Sequence, residues 1–402
     1  MNIESAQLIF CLAFALLLYV YFGYPLLLAV VARPRKDTPP PGGGYLPRVT
    51  MLISAYNERG VIEGKIQNTL ALDYPPDLLT NLIVSDCSDD GTDEIVLRYA
   101  SQGVQLVRLS ERLGKSIGLN LGVQKAAGEI LIFSDANAIY QPDAIGLLVR
   151  HFSDPRVGYV VGNARYTERS SKTASEASEG LYWKLETWLK EKESDFGSVV
   201  GGDGAIYAMR RELYTPLRLT DINDFLNPLQ IIVRGYRGVY EPSAICFEEA
   251  SDTFEKEFRR KVRIVSRSLN AVRRAPRVLL PWTQPRHWLA LISHKILRWF
   301  APLFLFIALI ANLTLWPSPF YRVTACLQLG FYLLAAIGWA VESRGAAPRF
   351  LYLPYYFSLI NWASMLGIFK CLTGSLTPTW QTIRQDTPAH SDESVQFVKK
   401  RS

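Results

Sequence analysis

The sequence predicts an α/β domain, a mainly parallel sheet with helices on both faces, carried between N-terminal and C-terminal transmembrane helices. Three observations predict it. Residues 48 to 160 alternate short β-rich runs with helix-patterned ones, the order that builds a parallel sheet. Charge is missing from residues 8–32, and apolar runs return at 299–316, 321–341 and 350–369. Carboxylates cluster where three of the β-rich runs end, the edge at which open α/β sheets bind ligands. Of 402 residues, 49% are hydrophobic and 20% charged, which excludes a disordered chain. Lys+Arg 44 against Asp+Glu 37 leaves a net charge of +7, mild for a nucleic-acid binder and equally the product of arginines flanking membrane spans. No nucleic-acid partner is expected. Cys11, Cys87, Cys246, Cys326 and Cys371 lie far apart, so neither a disulfide framework nor a zinc site is expected.

Taken in order, residues 1–33 read as a transmembrane anchor. A bilayer needs about 20 apolar residues in helix, and 8–32 supply them. The leading MNIESAQ carries Glu4 and no Lys or Arg, which disfavours a cleaved signal peptide. Arg33, Arg35 and Lys36 follow the span and place what comes next in the cytosol, at the inner (plasma) membrane. Residues 34–47 are a Pro- and Gly-rich linker, and 48–278 form the cytosolic α/β domain. Residues 279–298 alternate aromatic and aliphatic side chains with His287, His294, Lys295 and Arg298, the pattern of an amphipathic helix in the membrane interface. Residues 299–372 read as transmembrane helices and 373–402 as a polar tail. Arg344 and Arg349 fit a cytosolic loop, but Arg384, Lys399, Lys400 and Arg401 conflict with an external tail. Either the last apolar segment, broken by Pro354, Asn361 and Lys370, is re-entrant, or the charge rule fails there.

Within the domain, RVTMLISAY, NLIVSD, VQLVRL and EILIFSDA read as strands, and VIEGKIQNTLAL, TDEIVLRYA, KSIGLNLGVQKAA and PDAIGLLVRHF as helices. The first strand ends in Asn57-Glu58, the second in Asp86-Cys87-Ser88-Asp89-Asp90, the fourth in Asp135-Ala136-Asn137. No GxGxxG follows the first strand and no GxxxxGK[ST] occurs, which disfavours a dinucleotide redox enzyme and a P-loop NTPase. Carboxylates at strand ends suggest instead a sugar nucleotide held through a divalent cation. Asp135 and Asn137, hard oxygen ligands one residue apart, suit Mg²⁺ or Mn²⁺. The competing structural roles are a helix N-cap for Asp86 and Asp90 and a turn residue for Asp135.

In order and spacing, ISAYNE, VSDCSDDGTDE, RLGKSIGLNLG and FSDANA resemble the family 2 glycosyltransferases of the GT-A fold. The likeness continues through GGDGAIYAMRRELY, NDFLNPLQIIVRGYRGVYEP and RRKVRIVSRSL and covers most of 48–275. With the flanking spans it is similar to the membrane-integrated polysaccharide synthases of that family. The resemblance implies that Glu58 and Asp86 contact a UDP-sugar donor, and that Lys115 and Arg263 lie near its phosphates. It places Asp135 and Asn137 at the metal, with Asn137 departing from the acidic pattern so that Asp135 carries most of the ligation. It gives Gly202, Asp203 and Gly204 the acceptor side. Asp224 stands at the family's catalytic base, with Asp221 as its rival. Arg260-Lys261-Val262-Arg263-Ile264 replaces a motif that ends in tryptophan in processive synthases. Ile264 therefore argues for short products.

The implied activity is an inverting, metal-dependent transfer from a UDP-sugar to a polysaccharide or lipid-linked acceptor among membrane lipids. Rivals are a glycolipid synthase, such as a ceramide or diacylglycerol glucosyltransferase, and a non-catalytic membrane assembly protein. Retention of Asp86, Asp135 and Asp224 together argues against the last.

Overall fold

The computed structural model describes residues 2–34, 44–167, 174–249, 253–342 and 348–376. Arg35, Lys36, Arg344 and the tail from residue 377, on which part of the topology argument rests, lie outside the described residues.

One eight-stranded sheet organises the domain. Its strands are β1 Val49–Ala55, β2 Leu79–Ser85, β3 Val104–Arg108, β4 Ile130–Asp135, β5 Ile139–Tyr140, β6 Val157–Thr167, β7 Tyr207–Arg210 and β8 Arg237–Glu249, in the order β3-β2-β1-β4-β7-β6-β8-β5. The first four pair in parallel, β7 runs antiparallel between β4 and β6, and β6 and β8 are parallel again. Side chains alternate between the faces of a strand, and this alternation divides the core. Val49, Met51 and Ile53 join Ile83, Ile130 and Ile132 on one face. Leu52 joins Leu82, Val84, Leu131 and Phe133 on the other. Because both faces are covered, the strands read as near-continuous apolar runs. In register, Ala55 lies opposite Ser85 and Ser54 opposite Asp135, so the three carboxylate-bearing turns leave the sheet at one edge.

The apolar segments pack against the base of this domain. Helix Ile3–Leu18 runs through a π turn, Tyr19–Gly23, into Tyr24–Val31. Pro25 has no amide to bond back to Tyr21, and the wide turn falls just there. Helices Pro285–Trp299 and Ala301–Thr314 meet at a 57° bend, with Pro302 opening the second. Ile3–Val31 and Pro319–Glu342 are long and apolar enough to cross a membrane, and the bent pair makes a third candidate or a re-entrant loop.

Two expectations shift. Of the polar residues of 279–298, His287, Ser293 and His294 are buried against protein, while Arg286 is exposed. Helix Arg349–Thr373, expected as the last span, is not among the candidate spans. It packs instead along the arginine-rich helix Phe254–Arg274, where Gly367 permits the approach. A Cβ there would stand 2.9 Å from Val265 Cβ.

Candidate active site

The strand-end turns are laced to one another. Asn57, in the left-handed region at φ 52°, donates through Nδ2 to Asp89 (2.8 Å) and accepts the Asp89 amide (3.0 Å). The Glu58 amide donates to Thr92 Oγ1 at 2.9 Å, and Asp90 accepts the Thr92 amide at 3.0 Å. Asp90 thus ties the turn before helix Thr92–Leu97, whose N-cap position is Gly91 and not Asp90. Asp86 is buried and accepts the amides of Leu113 (2.8 Å) and Gly114 (2.9 Å). Burial lifts its carboxyl above the ordinary range against the pull of those amides. Asp86 thus holds the loop that launches helix Lys115–Lys125, and it is not among the cavity-lining residues.

That loop aims Lys115 at β4. Its ammonium pairs with Asp135 at the sheet edge. A cavity of about 820 Å³ opens here, lined by Glu58, Lys115, Asp135, Asn137, Asp203, Gly204, Asp224 and Arg263. The sequence candidates other than Asp86 and Gly202 therefore share one space. Gly204 lies at its centre. A Cβ on it would stand 3.2 Å from Asp224 Oδ2, 3.5 Å from Lys115 Nζ and 3.8 Å from Asp135 Oδ2. Gly202 lies just behind, its amide donating to the Asp224 carbonyl, where a Cβ would come within 2.9 Å of that oxygen.

Asp224 and Asp221 sit at the start of helix Asn223–Val233 in different surroundings. Asp221 is fully buried, pairs with Arg274 and accepts the Arg218 amide at 2.6 Å. Oδ1 of Asp224 and Oδ1 of Asp221 are both buried without a hydrogen-bond partner among the described residues, and both residues line the cavity; what separates them is Arg274 on Oδ2 of Asp221. Burial raises the pKa of Asp224, and Asp203 and Asp135 add to that while Lys115 opposes it. For Lys115 burial pulls the pKa down, but Asp135 and Asp224 outweigh it and the ammonium is held up. Burial lowers Arg263, with Asp135 opposing.

Sequence reasoning missed Glu248, which lines the same cavity at the end of β8. Burial, then Asp135 and Asp203, push its carboxyl up to about 8. Two adjacent glutamates closing a β-rich run, AICFEE, were the available signal. Lys190, which donates to Asp203 at 3.0 Å, and Arg274 had no local signal at all.

Among the described residues no group of three His, Cys, Asp or Glu side chains forms a ready metal cage. Asp135 and Asn137 both line the cavity with hard oxygens, and the surplus of carboxylates around them suits a divalent cation completed by phosphate oxygens.

Residues 50–217 match glycosyl transferase family 2. The chain is 28% identical over 221 residues to poly-beta-1,6-N-acetyl-D-glucosamine synthase of Staphylococcus aureus (strain MSSA476), covering 54% of this chain and 53% of that one. The synthase of Staphylococcus epidermidis is 24% identical over the same coverage. The chain thus spans about half the length of the curated relatives it matches. Its structure is similar to that of a mannosyltransferase from Pyrobaculum calidifontis in complex with GDP-Man and Mn2+, with a TM-score of 0.68, 25% identity, and coverage of 90% of this chain and 99% of that one. Motifs, sheet order and comparisons agree that the chain carries a family 2 glycosyltransferase domain of the GT-A fold, similar to that of polysaccharide synthases.

Proposed function

We propose that the chain is an inverting transferase that moves a sugar from a UDP-sugar to a polysaccharide or lipid-linked acceptor, with residues 48–278 in the cytosol. The observation that carries this reading is the unpartnered Asp224 Oδ1, buried across Gly204 from the Lys115–Asp135 pair. An acceptor hydroxyl attacking the anomeric carbon must lose a proton. Asp224 takes it at Oδ1, and its raised pKa brings its basicity nearer to the working pH. Lys115 and Arg263 receive the charge that collects on the departing diphosphate. Asp135 and Asn137 would hold Mg²⁺ or Mn²⁺, which when bound supplies further stabilisation of that diphosphate charge. Glu58 and the loop held by Asp86 shape the nucleotide side, and Asp203 and Gly204 the acceptor side. Gly204 lets a sugar approach the backbone without meeting a Cβ.

Support for a membrane-side acceptor comes from the cavity wall, which includes Leu366, Lys370 and Ser375 at the end of the last helix. The test is transfer by purified full-length protein in lipid nanodiscs, with labelled UDP-N-acetylglucosamine, UDP-glucose and GDP-mannose compared, since the mannosyltransferase neighbour was seen with GDP-Man. Transfer from a UDP-sugar is expected. Preference for GDP-mannose would overturn the donor, and no transfer from any donor would overturn the activity.

A further inference from the structure

We propose that Glu193, bridged by His294 to Glu186, is a positioning residue that ties the acceptor-side loop Val200–Gly204 to the apolar helices. This rests on the reading of that loop as the acceptor side of the Asp224 centre. Helix Ala174–Phe196 carries Glu186, Lys190 and Glu193 at spacings of four and three, hence on one face. Glu193 is fully buried. Its Oε1 accepts from Tyr24 of the N-terminal apolar helix at 3.1 Å and faces His294 Nδ1 at 2.6 Å. Its Oε2 accepts the backbone amide of Val200 at 3.2 Å. His294 Nε2 faces Glu186 at 3.1 Å, and Glu186 also receives Arg298 (2.6 Å) and Lys295 (3.1 Å) from the same bent segment.

One carboxylate therefore joins two elements distant in sequence, at Tyr24 and His294, and its far oxygen ends on the loop of interest, seven residues away. Lys190, on the same helix face, reaches that loop again at Asp203. Between the two anchors the Gly202 amide bonds the Asp224 carbonyl. The order of contacts is apolar helices, Glu193, Val200, Gly202, Asp224. Apolar packing alone would hold these helices together and would not fix the loop in one register. Directional bonds to a buried carboxylate do so, at a desolvation cost that packing does not require. Charged groups on a segment able to enter a membrane also read first as functional. The arrangement suits a loop whose distance from Asp224 has to be set by the segments that present the acceptor.

The experiment uses the full chain in lipid nanodiscs and compares Glu193→Gln, His294→Leu and His294→Asn, the last keeping a donor near the Nδ1 position. Two quantities are read: the ratio of sugar transferred to an N-acetylglucosamine oligosaccharide over sugar released to water, and hydrogen exchange across residues 198–206. For Glu193→Gln and His294→Leu the ratio should fall about tenfold and exchange over 198–206 should rise about tenfold, the size of one lost buried hydrogen bond. Donor KM and exchange over 130–140 should stay within about twofold, and His294→Asn should recover most of both losses. Equal loss of transfer and hydrolysis, or unchanged exchange over 198–206, would overturn the proposal. If the wild type uses no donor, the functional reading fails by itself, and the exchange result still decides the tie.

Discussion

Replacing Asp224 with asparagine keeps the shape and removes the proton acceptor, so chemistry and stability should respond in opposite directions. Loss of a general base lowers turnover by about 10²–10⁴-fold, or about 3–5 kcal/mol in the barrier. The fold should not weaken. Asp224 Oδ1 has no hydrogen-bond partner to lose, and the folded state holds this carboxyl's pKa above its unfolded value through burial. A raised carboxyl pKa favours folding at low pH, and that contribution is lost as pH rises through the folded value. At neutral pH the buried charge is therefore a cost, and asparagine should leave the thermal midpoint equal or higher. In the wild type the same shift makes transfer climb with pH above the ordinary carboxylate range, and this limb should vanish in the variant. Asp221 provides the contrast. It is fully buried and paired with Arg274, so Asp221→Asn strands a cation and should destabilise by about 3 kcal/mol or more. Steady-state transfer measured beside thermal unfolding for both variants decides the matter. The reasoning fails if Asp224→Asn retains transfer within threefold, or if folded Asp221→Asn protein loses more activity than Asp224→Asn.

Transfer should stop in excess EDTA and return with Mg²⁺ or Mn²⁺, and Asp135→Ala should abolish it while circular dichroism stays native; full activity in EDTA would refute a metal role. Under the proposed topology, in which Arg33, Arg35 and Lys36 mark the cytosolic side, cysteine labelling in intact cells should leave Cys87, half-buried on the domain surface, unreactive from outside. External labelling at Cys87 would reverse the topology. Ile264 lines the cavity without offering a flat stacking surface. Trp282 is exposed, Trp288 donates to the Leu279 carbonyl and Trp299 packs on Phe225, so none of the three lines the cavity in its place. Products sized at low acceptor conversion should be short, Ile264→Trp should lengthen them, and long wild-type polymer beside untouched acceptor would refute this. Gly204→Val should block transfer with little loss of stability, since its side chain would fill the space between Asp224 and Lys115.

What the sequence by itself determined was local in origin. The strands read as RVTMLISAY, NLIVSD, VQLVRL and EILIFSDA end within two residues of β1 to β4, because a strand's apolar run and its polar turn are written consecutively. Parallel pairing then brings every such turn to one edge, so Glu58 and Asp135 meet in one cavity. Tertiary structure decided what neighbours cannot encode. Asp221 and Asp224 look alike at a helix start, and Arg274, 53 positions onward, pairs with Asp221. Asp86, expected at the donor, also holds the loop before Lys115, a bond that its local sequence does not encode. Tertiary packing also brings helix Arg349–Thr373 along Phe254–Arg274, with Gly367 against Val265, a contact between segments far apart in sequence. The difference has one physical reason. Hydrophobic periodicity is a property of adjacent residues, whereas the charge state and availability of a buried carboxylate depend on which distant cation the fold brings to it.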